Sequence, residues 1–81
     1  MISAVVLVNT NVGEETQVLE NIKKVEGVEE AHALWGMYDL MVKVRAQTLD
    51  KLKEIIKLYL RQLSGVLNVL TLMIVEGAPS Q

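Results

Sequence analysis

The sequence predicts a single α+β domain built as two β-α-β halves. Its 81 residues fit one domain. Runs of β-branched apolar residues, typical of strands, alternate with segments whose apolar residues recur three and four positions apart, which is typical of helices. One spacing occurs twice: Gly27 follows Thr10 by 17 positions, Gly65 follows Thr48 by 17, and a Val comes after each Gly. This repeat indicates two halves of equal length.

The first half is predicted to contain a strand and a helix. Residues 2–8 are mostly apolar and rich in Val and Ile, which predicts a strand buried on both faces. Thr10 or Asn11 is expected to cap the helix at about residues 14–25, because a side-chain oxygen there can accept a free N–H group of the first turn. Gly27 stands where a helix commonly ends with a left-handed residue.

A β-hairpin is predicted to join the two halves. Residues 28–35 form its first strand, with Val28 and Glu30 on one face. Residues 38–45 form its second strand, and residues 36–37 make the short connection between them.

The second half repeats the pattern. Thr48 is expected to cap the second helix, and residues 64–65 are expected to end it. The apolar stripe of this helix is predicted to consist of Leu49, Leu52, Ile56, Tyr59 and Leu63, with Ile55 and Leu60 beside it. Residues 66–75 form the last strand. We expect one domain over residues 1–76 and a flexible tail at residues 77–81.

This order of elements predicts a ferredoxin-like βαββαβ sandwich, in which two helices cover one face of a four-stranded antiparallel sheet. The other face has no cover from within the chain, although the first and last strands are apolar on both sides. Each large apolar side chain left in water there forfeits about 1.5–3 kcal/mol relative to burial. We therefore expect the domain to dimerise through that face.

Composition excludes several kinds of site. There is no cysteine and His32 is the only histidine, so no disulfide, metal or cofactor is predicted. The net charge is −2, and Asp50 and Glu54 dilute the main basic cluster, which argues against direct nucleic-acid binding. That cluster consists of Lys51, Lys53, Lys57 and Arg61. The longest apolar run, residues 4–8, is too short to cross a membrane, and we expect a cytoplasmic protein.

No catalytic residues are predicted, and the chain is not expected to be an enzyme. The sequence contains no nucleophile elbow, phosphate-binding loop or dinucleotide fingerprint. His32 is interpreted as a strand residue at an interface or at the edge of solvent rather than as a general base.

The segment Trp35-Gly36-Met37-Tyr38-Asp39 contains the residues best suited to binding a small ligand. A glycine allows close approach of a backbone to a ligand, an aromatic ring gives a wall, and a carboxylate can hold an ammonium group. These parts suit an amino acid, although Gly and Asp are also the ordinary residues of a hairpin turn.

The segment 36–39, followed by an apolar strand, resembles the regulatory domain of the Lrp/AsnC transcriptional regulators, called RAM. The Gly27-Val28 and Gly65-Val66 junctions and the element order fit it too, and the likeness covers about residues 2–76. The resemblance implies dimers formed through the sheets, rings of eight or ten chains, and amino-acid effectors bound between dimers. It implicates Gly36, Tyr38 and Asp39, with Thr71 as a further candidate.

Family regulators carry an N-terminal helix-turn-helix for DNA, whereas this sequence begins at the first RAM strand. The resemblance therefore implies a stand-alone RAM protein that senses an effector and acts on transcription through assembly or through full-length Lrp/AsnC partners. Two alternatives stay open from the residues themselves: a small dimeric α+β-barrel enzyme using His32 or Trp35, and an oligomerisation module without a ligand.

Overall fold

The four strands and two helices that the sequence predicts are present in the computed structural model, which describes residues 1–74. The predicted end of the last strand at Val75 and the predicted tail lie outside the described residues. The elements in chain order are β1 (Ile2–Thr10), α1 (Glu15–Ile22), β2 (Val28–Ala33), β3 (Leu40–Ala46), α2 (Leu49–Glu54) with its π-helical continuation (Ile55–Leu60), and β4 (Val66–Met73).

The sheet has the strand order β2-β3-β1-β4, and all neighbouring strands are antiparallel. This confirms the predicted βαββαβ ferredoxin-like arrangement. Alternate residues of the two central strands point to the helices, because side chains in a strand alternate between faces. The fully buried core consists of Ala4, Val6, Val8, Leu40, Val42 and Val44 from the sheet, and Val18, Ile22, Leu52 and Leu60 from the helical side.

Strand β1 is buried on one face only. Val6 and Val8 are covered by the helices, whereas Val5 and Leu7 point to the opposite face and are partly exposed. The prediction of burial on both faces is therefore wrong within one chain, because nothing in residues 1–74 covers the second face.

The second helix changes its hydrogen-bond pattern halfway along. The N–H of Arg61 donates to the carbonyl of Ile56 at 3.0 Å, an i→i+5 bond that widens the turn. The wider turn places Leu60 in the core at 0% exposure and leaves Tyr59 51% exposed. The predicted stripe is therefore wrong at Tyr59, and also at Leu49, which is exposed.

The two helix starts differ. Thr48 caps α2 as predicted, with Oγ1 accepting from the N–H of Lys51 at 3.1 Å. The first helix begins after Glu14 without a side-chain cap, and Thr10 belongs to β1. The cap predicted at Thr10 or Asn11 is therefore wrong, and α1 is shorter than the predicted 14–25.

The two glycines of the repeat have the backbone conformation that the pattern predicts. Gly27 has φ 99° and Gly65 has φ 93°, values that residues with a Cβ adopt only at a cost. They turn the chain from each helix into the following strand. The structure therefore confirms the glycine half of the repeat.

The hairpin differs in detail from its prediction. Strand β2 ends at Ala33 and β3 begins at Leu40, so the connection is the six residues 34–39 rather than two residues. The N–H of Leu34 donates to the carbonyl of Asp39 at 2.8 Å and closes this loop. A register shift after Val28 also places that residue opposite Val44, on the helix side, and separates it from Glu30.

Candidate functional site

The loop of residues 34–39, called here the hairpin loop, holds three of the four predicted site residues. It projects from one end of the sheet, where β1 ends and β2 and β3 are joined. Gly36 is exposed at its tip, while Tyr38 and Asp39 are half-buried nearer the sheet. Trp35 and Met37 flank the glycine and are 104% and 91% exposed. Two large apolar side chains therefore stand in solvent beside the predicted ligand-binding positions.

Asp39 is fixed to the end of β1 by its backbone and by its side chain. Its N–H donates to the carbonyl of Val8 at 2.9 Å. Its Oδ2 accepts from the backbone N–H of Thr10 at 2.8 Å and lies 3.4 Å from the Thr10 hydroxyl. A carboxylate offers about four acceptor positions on its two oxygens, so Oδ1 keeps its capacity to accept from an ammonium group. The arrangement orients a charged acceptor and leaves half of it available.

Sequence reasoning missed Thr10 as a member of this site. The two residues are 29 positions apart, and only the pairing of β1 with β3 brings them together. Thr10 was interpreted as a helix cap because it mirrors Thr48 in the repeat. A threonine at the end of a strand gives no signal in sequence that its N–H needs a carboxylate.

Thr71 lies away from the hairpin loop. Thr71 is on β4, where it pairs with Val6 of β1, and it lines a groove between β4 and α2. Strands β3 and β4 lie on opposite sides of β1, which separates them by about 10 Å. The structure thus brings Gly36, Tyr38 and Asp39 together in one loop, and it does not bring Thr71 to them within one chain.

The sheet face opposite the helices carries an apolar surface, called here the open-face patch. Leu70 and Leu72 of β4 are 43% and 47% exposed, and they pair across the sheet with Leu7 and Val5 of β1. The patch consists of Val5, Leu7, Met41, Leu70, Leu72 and Ile74. Contiguous apolar surface of this kind is typical of an interaction site rather than of a face in water.

A charged strip borders the open-face patch on β2 and β3. Glu29 bridges two cations, with its oxygens 3.8 Å from Lys43 Nζ and 3.1 Å from Arg45 Nη1. His32 Nε2 lies 2.8 Å from Glu30 Oε1, and both side chains are about half exposed. His32 therefore lies on the exposed face of the sheet. Within residues 1–74, no cluster of three or more potential metal ligands occurs.

In the part of the chain that the structure describes, no helix is long and apolar enough to cross a membrane.

Residues 3–78 match the family model described as the Lrp/AsnC ligand binding domain. An uncharacterized HTH-type transcriptional regulator of Pyrococcus abyssi is 37% identical over 59 residues, which are 73% of this chain and 39% of that protein. The chain thus spans well under half the length of the curated relatives that it matches.

Solved structures agree with the family match. The crystal structure of FFRP-DM1 is 32% identical, with a TM-score of 0.89 over 93% of this chain and 100% of that one. A transcriptional regulator of Neisseria meningitidis, solved as a complex with L-Met, shares the fold at 14% identity, with a TM-score of 0.81 over 98% of this chain and 53% of that one. The family model describes a ligand-binding domain. This chain belongs to the Lrp/AsnC ligand binding domain family.

Proposed function

We propose that this domain senses an amino acid, bound between its subunits at the hairpin loop, and modulates transcription through assembly or through partner regulators. The domain of residues 1–76 is the unit of this function. Gly36, Tyr38, Asp39 and Thr71 are the proposed effector-binding residues.

The anchored carboxylate of Asp39 is the observation that carries the proposal. Thr10 holds one oxygen of Asp39, so the other is oriented without the loss of side-chain freedom that binding otherwise costs. An ammonium group at Oδ1 gains a charge-assisted hydrogen bond. Gly36 at the loop tip has no neighbouring atom within 4 Å of the place where a Cβ would stand, so an effector can approach its backbone.

Three features favour a site between subunits. Trp35 and Met37 are exposed in one chain, and burying them against another subunit would recover hydrophobic free energy. Thr71 is separated from the hairpin loop within one chain, so it can join the site only from another copy. The open-face patch supplies a surface for sheet-to-sheet dimerisation, and further contacts between dimers would build the expected ring.

The nature of the effector is supported by a fold relative. The Neisseria meningitidis regulator was crystallised with L-Met, a zwitterionic amino acid with an apolar side chain. The hairpin loop of the present chain offers a carboxylate for such an ammonium group and apolar surface beside it. Full-length Lrp/AsnC regulators are the proposed partners through which the output reaches DNA.

Isothermal titration against the twenty amino acids tests the proposal, with Asp39→Asn as the informative variant. The amide of Asn keeps an oxygen for the N–H of Thr10 and loses the charge that an ammonium group needs. Loss of one charge-assisted bond corresponds to about 1.5–3 kcal/mol, or roughly ten- to a hundredfold in affinity. Asp50→Asn, in the first turn of α2, is the matched control and should bind as the unmodified chain does.

Two results would count against amino-acid sensing. If no amino acid binds, the effector claim fails and a purely structural oligomerisation module is the better account. If an amino acid binds equally well to the Asp39→Asn variant, the site lies elsewhere. His32→Ala should leave binding unchanged, because His32 pairs with Glu30 on the charged strip and not with the hairpin loop.

A further inference from the structure

A second concave site lies on the helix side of the sheet, between α2 and the edge strand β4. This groove has a volume of about 740 Å³, within the range of small-molecule sites. Its floor is aliphatic and includes Leu52, Ile56 and Met73, the last of which is 45% exposed. Thr71 supplies a hydroxyl group on the β4 side.

Three cations line the same groove along one side of the second helix. Lys53, Lys57 and Arg61 all line the groove, so their side chains lie on the side of the helix that faces it. None of the three forms an ion pair within residues 1–74, whereas the neighbouring Lys51 is 3.5 Å from Glu54.

The acidic residues that dilute this cluster in the sequence are not part of the groove lining. Asp50 and Glu54 do not line the groove, and no other acidic side chain of the described residues does. Among the described residues, the surface is therefore an aliphatic floor beside a rim whose charged side chains are all positive. A ligand that fits this groove has a negative group for the cations and a hydrocarbon part for the aliphatic floor.

We propose that this groove binds an aliphatic monocarboxylate that carries no ammonium group, such as a branched-chain 2-oxo acid or a fatty acid. The carboxylate pairs with Lys57 and Arg61, and the guanidinium of Arg61 can hold two oxygens at once. The hydrocarbon lies on Ile56 and Met73, where it replaces water on an apolar surface. A free amino acid is disfavoured because its ammonium group meets three cations and no carboxylate.

This groove shares Thr71 with the proposed effector-binding residues, but Lys57 and Arg61, which would hold the carboxylate, belong only to the groove. It lies on β4 and α2, whereas the hairpin loop joins β2 and β3, and it discriminates against the ammonium group that Asp39 would hold. Its test therefore succeeds or fails separately from the test at Asp39.

The experiment compares 4-methyl-2-oxopentanoate with leucine, which has the same side chain and carboxylate but an ammonium group in place of the oxo group. Decanoate forms a third arm and distinguishes a fatty acid from a short oxo acid as the source of the carboxylate. Titration of the full chain should show binding of 4-methyl-2-oxopentanoate or decanoate. The double variant Lys57→Gln, Arg61→Gln should weaken it at least tenfold, and added salt should weaken it too.

Lys51→Gln is the control, because it removes one positive charge from the same helix outside the groove. It should change the affinity less than twofold. Asp39→Asn should leave binding of the carboxylate to the groove unchanged, and it should weaken any binding of leucine at the hairpin loop. Leucine and its oxo acid are therefore compared in the Asp39→Asn variant, so that binding at the hairpin loop does not mask binding in the groove. The proposal is overturned if neither carboxylate binds, if leucine binds to the Asp39→Asn variant as tightly as its oxo acid, or if Lys51→Gln weakens binding as much as the double variant does.

Discussion

The carboxylate of Asp39 accepts a hydrogen bond from the backbone N–H of Thr10, with 2.8 Å between Oδ2 and the nitrogen. This bond ties the hairpin loop to the end of the central strand β1. The residue proposed to recognise the effector is thus also a structural residue.

Replacing Asp39 by Ala should lower the free energy of unfolding, because it leaves the part-buried N–H of Thr10 without its acceptor. The expected loss is about 1.5–3 kcal/mol. Urea unfolding measures it, and Asp39→Asn should lose clearly less because its amide oxygen can still accept. Equal stability of Asp39→Ala and the unmodified chain would contradict the role given to this bond.

Two glycine substitutions should differ in how much they destabilise the fold. Gly27→Ala should destabilise by about 1–2 kcal/mol or more, since φ is 99° and the new Cβ would stand 2.6 Å from Cδ1 of Ile55. Gly36→Ala should change stability by less than about 1 kcal/mol, because its surroundings are open and its φ is not positive. Thermal unfolding of both variants checks this.

If the effector approaches the backbone of Gly36, then Gly36→Ala should weaken amino-acid binding despite its normal stability. Titration of this folded variant with the amino acid separates an effect on effector binding from an effect on stability. Unchanged affinity would remove Gly36 from the proposed site.

Leu60 and Tyr59 should differ sharply when truncated. Leu60→Ala removes a fully buried side chain and should cost about 2–5 kcal/mol. Tyr59→Ala removes a half-exposed ring and should cost about 1 kcal/mol or less. Chemical denaturation of the pair tests the π-helical geometry, since a regular α-helix would place both residues on its apolar stripe, at i+3 and i+4 from Ile56.

Charging the open-face patch should disrupt assembly. Leu70→Glu places a carboxylate where two apolar sheets are proposed to meet, and it would have to be buried without a partner. Sedimentation should therefore show a shift to smaller particles. Leu58→Glu, at an exposed position of the second helix, is the control and should leave the particle size unchanged. The same size for all three proteins would place the interface elsewhere.

Local patterns were enough to predict the order of elements and several of their boundaries. Thr48 and the two glycines act within a few residues of their own positions, so the sequence around them carries the information. The apolar strands likewise predict a sheet with one uncovered face, which the exposure of Leu70 and Leu72 confirms.

The predictions from sequence are wrong where a residue's environment depends on distant residues or on an irregular backbone. Thr10 matches Thr48 in the repeat, but Asp39, 29 positions away, accepts its N–H instead. Tyr59 fits a 3.6-residue period that the wider turn after Glu54 interrupts. Lys53, Lys57 and Arg61 look diluted by acidic neighbours in sequence, and only the packing of the helix against β4 shows that they line a groove that Asp50 and Glu54 do not line.

The central claim is that this domain is an assembly whose state responds to an amino acid. Sedimentation velocity of the unmodified chain, with and without each of the twenty amino acids, tests it most directly. The account predicts particles of at least two 9.0 kDa chains, and a distribution that at least one amino acid changes. A 9.0 kDa monomer at every protein concentration, unaffected by any amino acid, would contradict it.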